Sequence, residues 1–159
     1  MAPRIGQKVP EFSLPDADGR PRTLDEFTKQ GKVMLAFFPF AFSGTCDKEM
    51  CMFRDGFTTL KDSGAQIVGI SVDSSFSLRA FARTYNLQFP LLSDFNRKVS
   101  KLFGVLQDQW IGLGYRGVPK RSIFLVDQRR ILRYRWVTEV PSNEPPYQEV
   151  NRVIENLTA

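Results

Sequence analysis

Two short apolar runs constrain this chain more than any other feature. Lys32 to Phe38 reads Lys-Val-Met-Leu-Ala-Phe-Phe, and Gln66 to Val72 reads Gln-Ile-Val-Gly-Ile-Ser-Val. Apolar runs of this length, with little alternation, mark strands covered on both faces. Such strands belong inside a sheet with helices above and below. After the first run, Met50, Phe53, Phe57 and Leu60 recur at intervals of three and four. That spacing predicts a helix from Cys46 towards Ser63, with Gly64 as its C-cap. After the second run, Leu78, Phe81, Ala82 and Tyr85 form another apolar face, with Asp73 or Ser74 as the N-cap.

The remaining segments complete the order. Phe12 to Gly19 is a short extended piece meeting an Asp-Gly turn, and with Thr23-Leu24 it predicts a small N-terminal hairpin. Thr23 or Asp25 caps a helical turn through Phe27, which Gly31 ends. Phe89-Pro-Leu-Leu is extended, and Arg97 to Phe103 is a short helix closed by Gly104. Ser122–Val126 and Ile131–Val137 read as strands of a hairpin joined by Asp127-Gln-Arg-Arg130. In the second of these, Leu132, Tyr134 and Trp136 alternate with Arg133 and Arg135, the pattern of a strand with one wet face. From Pro146 onwards Val150, Val153, Ile154 and Leu157 fall at helical spacing. The order β-α-β-α-β-α followed by β-β-α predicts an α/β fold of thioredoxin-like plan. Its central sheet is mostly parallel and flanked by helices, and residues 1–159 make a single domain.

Both cysteines of the chain, Cys46 and Cys51, lie just past the first core strand. The loop at the carboxyl end of such a strand is where an α/β sheet places its ligands. A cysteine in the first turn of a helix meets unpaired amide N–H groups and the positive end of the helix dipole, which favour thiolate over thiol. On an intact helix, residues five apart have Cα atoms roughly 8.5–9 Å apart. A disulfide requires them within about 7 Å. Bonding Cys46 to Cys51 therefore demands that the first turns unwind. The plainer reading, two buried inert thiols, fits Cys51 between Met50 and Met52 better than it fits Cys46 beside a Ser-Gly-Thr loop.

Composition removes several classes of chemistry. The chain has no histidine, which excludes Ser-His-Asp and Cys-His catalytic pairs and any His-ligated metal site. Any activation of Cys46 must come from amides, hydroxyls and arginines. The net charge is +5, but the basic residues are scattered, the densest stretch being Arg116 to Arg135, so a solvated surface is expected rather than a nucleic-acid site. No apolar run approaches the ~20 residues of a membrane span. The opening residues lack the apolar segment of a secretory signal, so an intracellular, cytoplasmic protein is expected.

Peroxide chemistry suits this neighbourhood. Attack on an O–O bond needs a thiolate, an aligned peroxide and donors for the departing oxygen. Ser43 offers a hydroxyl three residues before Cys46, and Arg121, just before a predicted strand, is the best-placed arginine. Pro39 carries no N–H and covers one side of the thiolate. A sulfenic acid at Cys46 would condense with a nearby thiol such as Cys51.

The pattern Pro39-x-x-x-Ser43-x-x-Cys46 resembles the peroxiredoxin active-site signature, Pro-x-x-x-(Thr/Ser)-x-x-Cys. The resemblance continues through Pro10-Glu-Phe-Ser-Leu-Pro, Phe37-Phe-Pro-Phe-Ala-Phe, Gly69-Ile-Ser-Val-Asp, Phe89-Pro-Leu-Leu-Ser-Asp and Arg121-Ser-Ile-Phe-Leu-Val-Asp. It implies a thioredoxin-like fold and reduction of hydrogen peroxide or small organic hydroperoxides, with no cofactor or metal. It makes Cys46 the peroxidatic cysteine, with Pro39, Ser43 and Arg121 in support and Glu49 as a partner of an arginine. The Cys-x-x-x-x-Cys spacing is similar to that of the bacterioferritin-comigratory (Q-type) group, which implies that Cys51 resolves the sulfenic acid and that thioredoxin or a similar dithiol recycles the disulfide. The Phe-rich run and Met50 resemble the E-type group, in which a resolving cysteine at this spacing is not a rule; the alternative is then a one-cysteine peroxidase with Cys51 structural. The resemblance allows a monomer or a homodimer, and Arg54 either joins Arg121 at the thiolate or pairs with Asp55 or Glu49. Two other classes compete: a thioredoxin-like dithiol oxidoreductase, which would want Cys-x-x-Cys, and a binding or holdase module without catalysis.

Overall fold

The computed structural model describes residues 2–56, 62–110 and 112–157. The predicted hairpin is present: β1 (Ser13–Pro15) pairs antiparallel with β2 (Pro21–Thr23). The Asp16 carboxylate accepts from the amides of Asp18 and Arg20 and so shapes the turn. Thr23, not Asp25, caps α1 (Leu24–Thr28), in a reciprocal box with Glu26.

The central sheet has the strand order β5-β4-β3-β8-β9. Its members are β3 (Lys32–Phe37), β4 (Ala65–Ser71), β5 (Leu91–Ser93), β8 (Ser122–Val126) and β9 (Leu132–Val137). β3, β4 and β5 run parallel, while β8 pairs antiparallel with both β3 and β9. Four of the five strands therefore point the same way, and β8 alone is reversed. A two-stranded ribbon of β6 (Leu106–Gln107) and β7 (Val118–Pro119) lies apart from this sheet and has no counterpart in the sequence reading.

β3 shows why the apolar runs had to be central. All six of its residues are buried, and they alternate between two cores. Met34, Ala36 and the following Phe38 join one core with residues of α2 (Thr45–Asp55), α3 (Ser75–Tyr85) and α5 (Tyr147–Asn156). Val33, Leu35 and Phe37 join the other, with residues of α1 and α4 (Lys98–Leu102). The approach of neighbours is close enough that Gly69 in β4 has no room for a side chain. A Cβ there would stand 2.7 Å from Leu91 Cδ2 and 3.3 Å from Phe38 Cε1.

Three details depart from the sequence reading. α2 ends at Asp55 with Gly56 as its C-cap, well short of Ser63, and the expected contributions of Phe57 and Leu60 lie outside the described residues. α4 starts one residue late because Arg97 is left-handed at its N-cap, and the Asp94 carboxylate instead receives the amides of Val99 and Ser100. In β9 a bulge opposite Leu125 and Val126 breaks the simple alternation. It turns Leu132 into the α1 side of the sheet, whereas Tyr134 and Trp136 pack on the α2 side. Of the two candidate caps of α3, Ser74 accepts from the Ser77 amide, and Asp73 is used elsewhere.

Candidate active site

β3 delivers the chain to a loop over residues 38–44 at the carboxyl end of the sheet. Two residues of this loop lie in the left-handed region, Phe42 at φ 64° and Gly44 at φ 82°. Glycine adopts that conformation freely, whereas a phenylalanine must be held there by its surroundings. Phe42 stacks edge-on against Phe81 of α3, with ring centroids 5.1 Å apart. The Asp73 carboxylate, just past β4, receives the Ala41 amide at 2.8 Å and the Ser71 hydroxyl at 2.7 Å. The Ser43 hydroxyl donates to the Phe40 carbonyl at 2.7 Å. These bonds fix the loop from three sides before the helix begins.

Cys46 is the second residue of α2 and is fully buried among Phe38, Met50 and Phe53. Arg121 reaches it through the sheet. Because β8 runs antiparallel to β3, Ser122 pairs with Phe37, so the residue before Ser122 lies at the mouth of the loop. Arg121 Nη1 donates to Cys46 Sγ at 3.2 Å and to Glu49 Oε1 at 2.8 Å, and Nη2 donates to the Pro141 carbonyl at 3.0 Å. Glu49, three residues along α2, is likewise fully buried, and Arg121 is only 2% exposed. Among the described residues Glu49 Oε2 and Arg121 Nε have no hydrogen-bond partner.

One guanidinium thus serves two acids in a closed space. Burial pushes the Cys46 thiol above the ordinary cysteine range; the Arg121 charge opposes this, the Glu49 carboxylate adds to it, and the Ser43 hydroxyl and Phe40 main chain pull it back. The expected net stabilisation of thiolate by the helix start is therefore outweighed by desolvation in the closed site. Burial likewise lifts Glu49 to about 7, against the pull of Arg121. Near neutral pH, Glu49 can take up a proton and leave the arginine to the sulfur. A depression of about 460 Å³, lined by Phe40, Ala41, Phe42, Ser43, Asp73, Trp110 and Tyr115, opens beside the loop.

The structure brings Cys46, Glu49 and Arg121 into one chain of contacts, with Ser43 beside them and Pro39 buried where the loop begins. It sets Cys51 apart. That thiol is half-buried, in the same unbroken helix as Cys46, and within electrostatic reach of Arg54 and Tyr85. Arg54 does not join the thiolate: its Nε donates to Asp55 and its Nη1 to the Tyr85 carbonyl. The sequence reading missed Asp73 as the loop's tether. The available signal is an Asp at the end of a predicted strand, where it competes with Ser74 as a helix cap.

A family model described as the AhpC/TSA family matches residues 5–135. The chain belongs to the AhpC/TSA family. Over 137 residues it is 38% identical to a putative peroxiredoxin bcp of Coxiella burnetii, covering 86% of this chain and 89% of that one. It is 35% identical over 152 residues to the chloroplastic peroxiredoxin Q of Triticum aestivum, covering 96% of this chain and 67% of the longer plant protein. Among solved structures, peroxidoxin BcpB of Mycobacterium tuberculosis superposes with a TM-score of 0.87 at 30% identity, covering 99% of each chain. This peroxiredoxin is a thiol peroxidase with the thioredoxin-like fold, as the motif around Cys46 implied. Membership implies a hydroperoxide substrate and a thioredoxin-type reductant. Among the described residues, no helix is long and apolar enough to cross a membrane.

Proposed function

We propose that Cys46 is the peroxidatic cysteine, and that Cys51 resolves its oxidised form within the same chain. The observation that carries the assignment of Cys46 is the single Nη1 of Arg121 held at both Cys46 Sγ and Glu49 Oε1, with all three side chains buried; the role of Cys51 rests on the Cys-x-x-x-x-Cys spacing. The thiolate of Cys46 attacks the terminal oxygen of the peroxide, and the O–O bond breaks. The departing oxygen takes a proton and leaves as water or alcohol, and the sulfur keeps the attacked oxygen as a sulfenic acid. Arg121, the Ser43 hydroxyl and the first-turn amides of α2 supply the donors for the oxygen that gains charge. Ser43 turns its hydroxyl from the Phe40 carbonyl to the peroxide oxygen as negative charge develops there. Glu49 orients the arginine, and Pro39 closes one wall.

Cys51 then attacks the sulfenic sulfur, the S–O bond breaks, and water leaves as the Cys46–Cys51 disulfide forms. The intact α2 separates their Cα atoms by roughly 8.5–9 Å, so its first turns must open for this step. Thioredoxin, or a dithiol protein like it, returns two electrons and is itself oxidised. The substrate class is hydrogen peroxide and small organic hydroperoxides.

The test is intact mass after one equivalent of hydrogen peroxide, with remaining peroxide counted. A loss of two hydrogens mapped to a Cys46–Cys51 link is expected. Cys46→Ser should abolish peroxide consumption, while Cys51→Ser should keep one turnover and lose thioredoxin-driven cycling. Oxygen retained only on Cys46 of the unsubstituted protein would make Cys51 structural. Full turnover by Cys46→Ser would overturn the assignment.

A further inference from the structure

One residue of α3 grips α2 at both ends of the segment that has to open. The Tyr85 hydroxyl donates a short hydrogen bond to Asp47 Oδ2 in the first turn of α2, and the Tyr85 carbonyl receives Arg54 Nη1 from the last turn. Asp47 is next to Cys46 in sequence, and Cys51 lies between the two contacts. The other carboxylate oxygen, Asp47 Oδ1, is buried without a partner among the described residues. The Tyr85 ring also packs edge-on to Phe81 at 5.4 Å and lies 6.3 Å from Phe42, the loop residue at positive φ. The same side chain therefore steadies the loop before Cys46 and the turn after it.

We propose that Tyr85 is a positioning residue whose bond to Asp47 latches the first turn of α2 closed and so sets how fast Cys46 can reach Cys51. The two contacts have different fates. Bringing the cysteines together requires residues 46–51 to leave the helix, which carries Asp47 away from Tyr85. Arg54 lies beyond that segment, so its bond to the Tyr85 carbonyl can persist and keep the last turn of α2 docked. Opening is then a local event hinged between Cys51 and Arg54. The latch also sets a partition. While closed, it leaves the Cys46 sulfenic acid facing the peroxide site. There a second peroxide can transfer one oxygen to the sulfur, giving sulfinic acid and releasing water or alcohol. Opening diverts the sulfenic acid to the disulfide.

This inference rests on the assignment of Cys51 as the resolving thiol, and two readouts separate the failures. Tyr85→Phe keeps the aromatic packing and removes only the hydroxyl. A charge-assisted bond of this kind corresponds to about a tenfold change in the opening equilibrium. In the reduced protein, amide hydrogen exchange of residues 45–51 should quicken about tenfold in Tyr85→Phe, a readout that does not involve Cys51 chemistry. In single-turnover experiments, disulfide formation should quicken by a similar factor, and more peroxide should be needed to convert Cys46 to sulfinic acid. Asp47→Ala should give the same changes, and the double variant should add little to either. Exchange and resolution rates both equal to those of the unsubstituted protein would overturn the latch. Faster exchange with no Cys46–Cys51 disulfide in any variant would overturn the role of Cys51 and leave the latch standing as a structural contact only. A general loss of protection throughout the sheet in Tyr85→Phe would also overturn it, since a latch acts on one helix turn.

Discussion

Arg121 Nη1 stands 3.2 Å from Cys46 Sγ, across a span of 75 residues in sequence. No other cationic group among the described residues donates a hydrogen bond to that sulfur. The positive charge is held there by Glu49 and the Pro141 carbonyl, not by solvent. Arg121→Gln keeps some hydrogen-bonding capacity and removes the charge. The peroxide step should slow by about 10²–10³-fold, the loss typical of a donor removed from a developing anion. The measurement is stopped-flow consumption of hydrogen peroxide by reduced protein. Because Cys46 sits above the ordinary thiol range and Arg121 pulls it down, the pH at which the rate levels off should move up in the variant.

Glu49 gives the fold a pH dependence of defined sign. Its folded-state value is about 7, above the 4.5 of an exposed glutamate. The unfolded chain therefore loses this proton first, and stability falls as pH rises from the unfolded value through the folded one. The contribution favours the folded state fully below pH 4.5 and is lost by a few kcal/mol above about 7. Glu49→Gln carries no titratable proton there. Urea unfolding at pH 5 and pH 8 should show a smaller decline for the variant than for the unsubstituted protein.

Ser43 has one proton, and at rest it belongs to the Phe40 carbonyl. Ser43→Ala removes both that bond and the donor offered to peroxide. A drop of about tenfold or more in the peroxide rate is expected, with a stability loss of about 1 kcal/mol. Ser43→Thr restores the hydroxyl and should recover most of the rate. Equal rates for the alanine and threonine variants would remove the hydroxyl from the mechanism.

Asp73 ties the active-site loop to the end of β4 through the Ala41 amide and the Ser71 hydroxyl. Asp73→Ala orphans both donors in a partly buried place, at a cost of about 1–3 kcal/mol. The loop bearing Phe42 in a left-handed conformation should relax, lowering the peroxide rate as well as the melting temperature. Asp73→Asn retains an acceptor oxygen and should recover part of each.

Much of the fold was legible because short-range rules governed it. The two apolar runs became the sheet centre, the Thr23 and Ser74 hydroxyls took their capping places, and Val150 and Ile154 turned inward from the last helix. The readings that missed did so where a local signal had a rival. The apolar spacing runs on past Gly56 towards Gly64, but Gly56 closes α2. Asp73 and Ser74 both offered a cap, and the longer-range demand of the Ala41 amide drew Asp73 away. In β9 the alternation was real for Tyr134 and Trp136, but a bulge had turned Leu132 to the other face.

The chemistry at Cys46 was written locally: a serine three residues before it, a loop of small residues, a helix start, and no histidine to act in their place. Those signals work because turn chemistry and helix ends depend on neighbours in sequence. What needed the folded chain was everything that crosses it. The motif resemblance already points to Arg121, but its geometry comes from the fold: the reversed direction of β8 lifts it out of the basic stretch from Arg116 to Arg135 and into the core beside two acids. Only the fold sets Asp73 on Ala41 and Tyr85 on Asp47, and only the fold buries Cys46 fully while leaving Cys51 half-buried. Such contacts follow from strand register and from burial that leaves a polar group no partner but the one brought to it. Neither is encoded in any single segment.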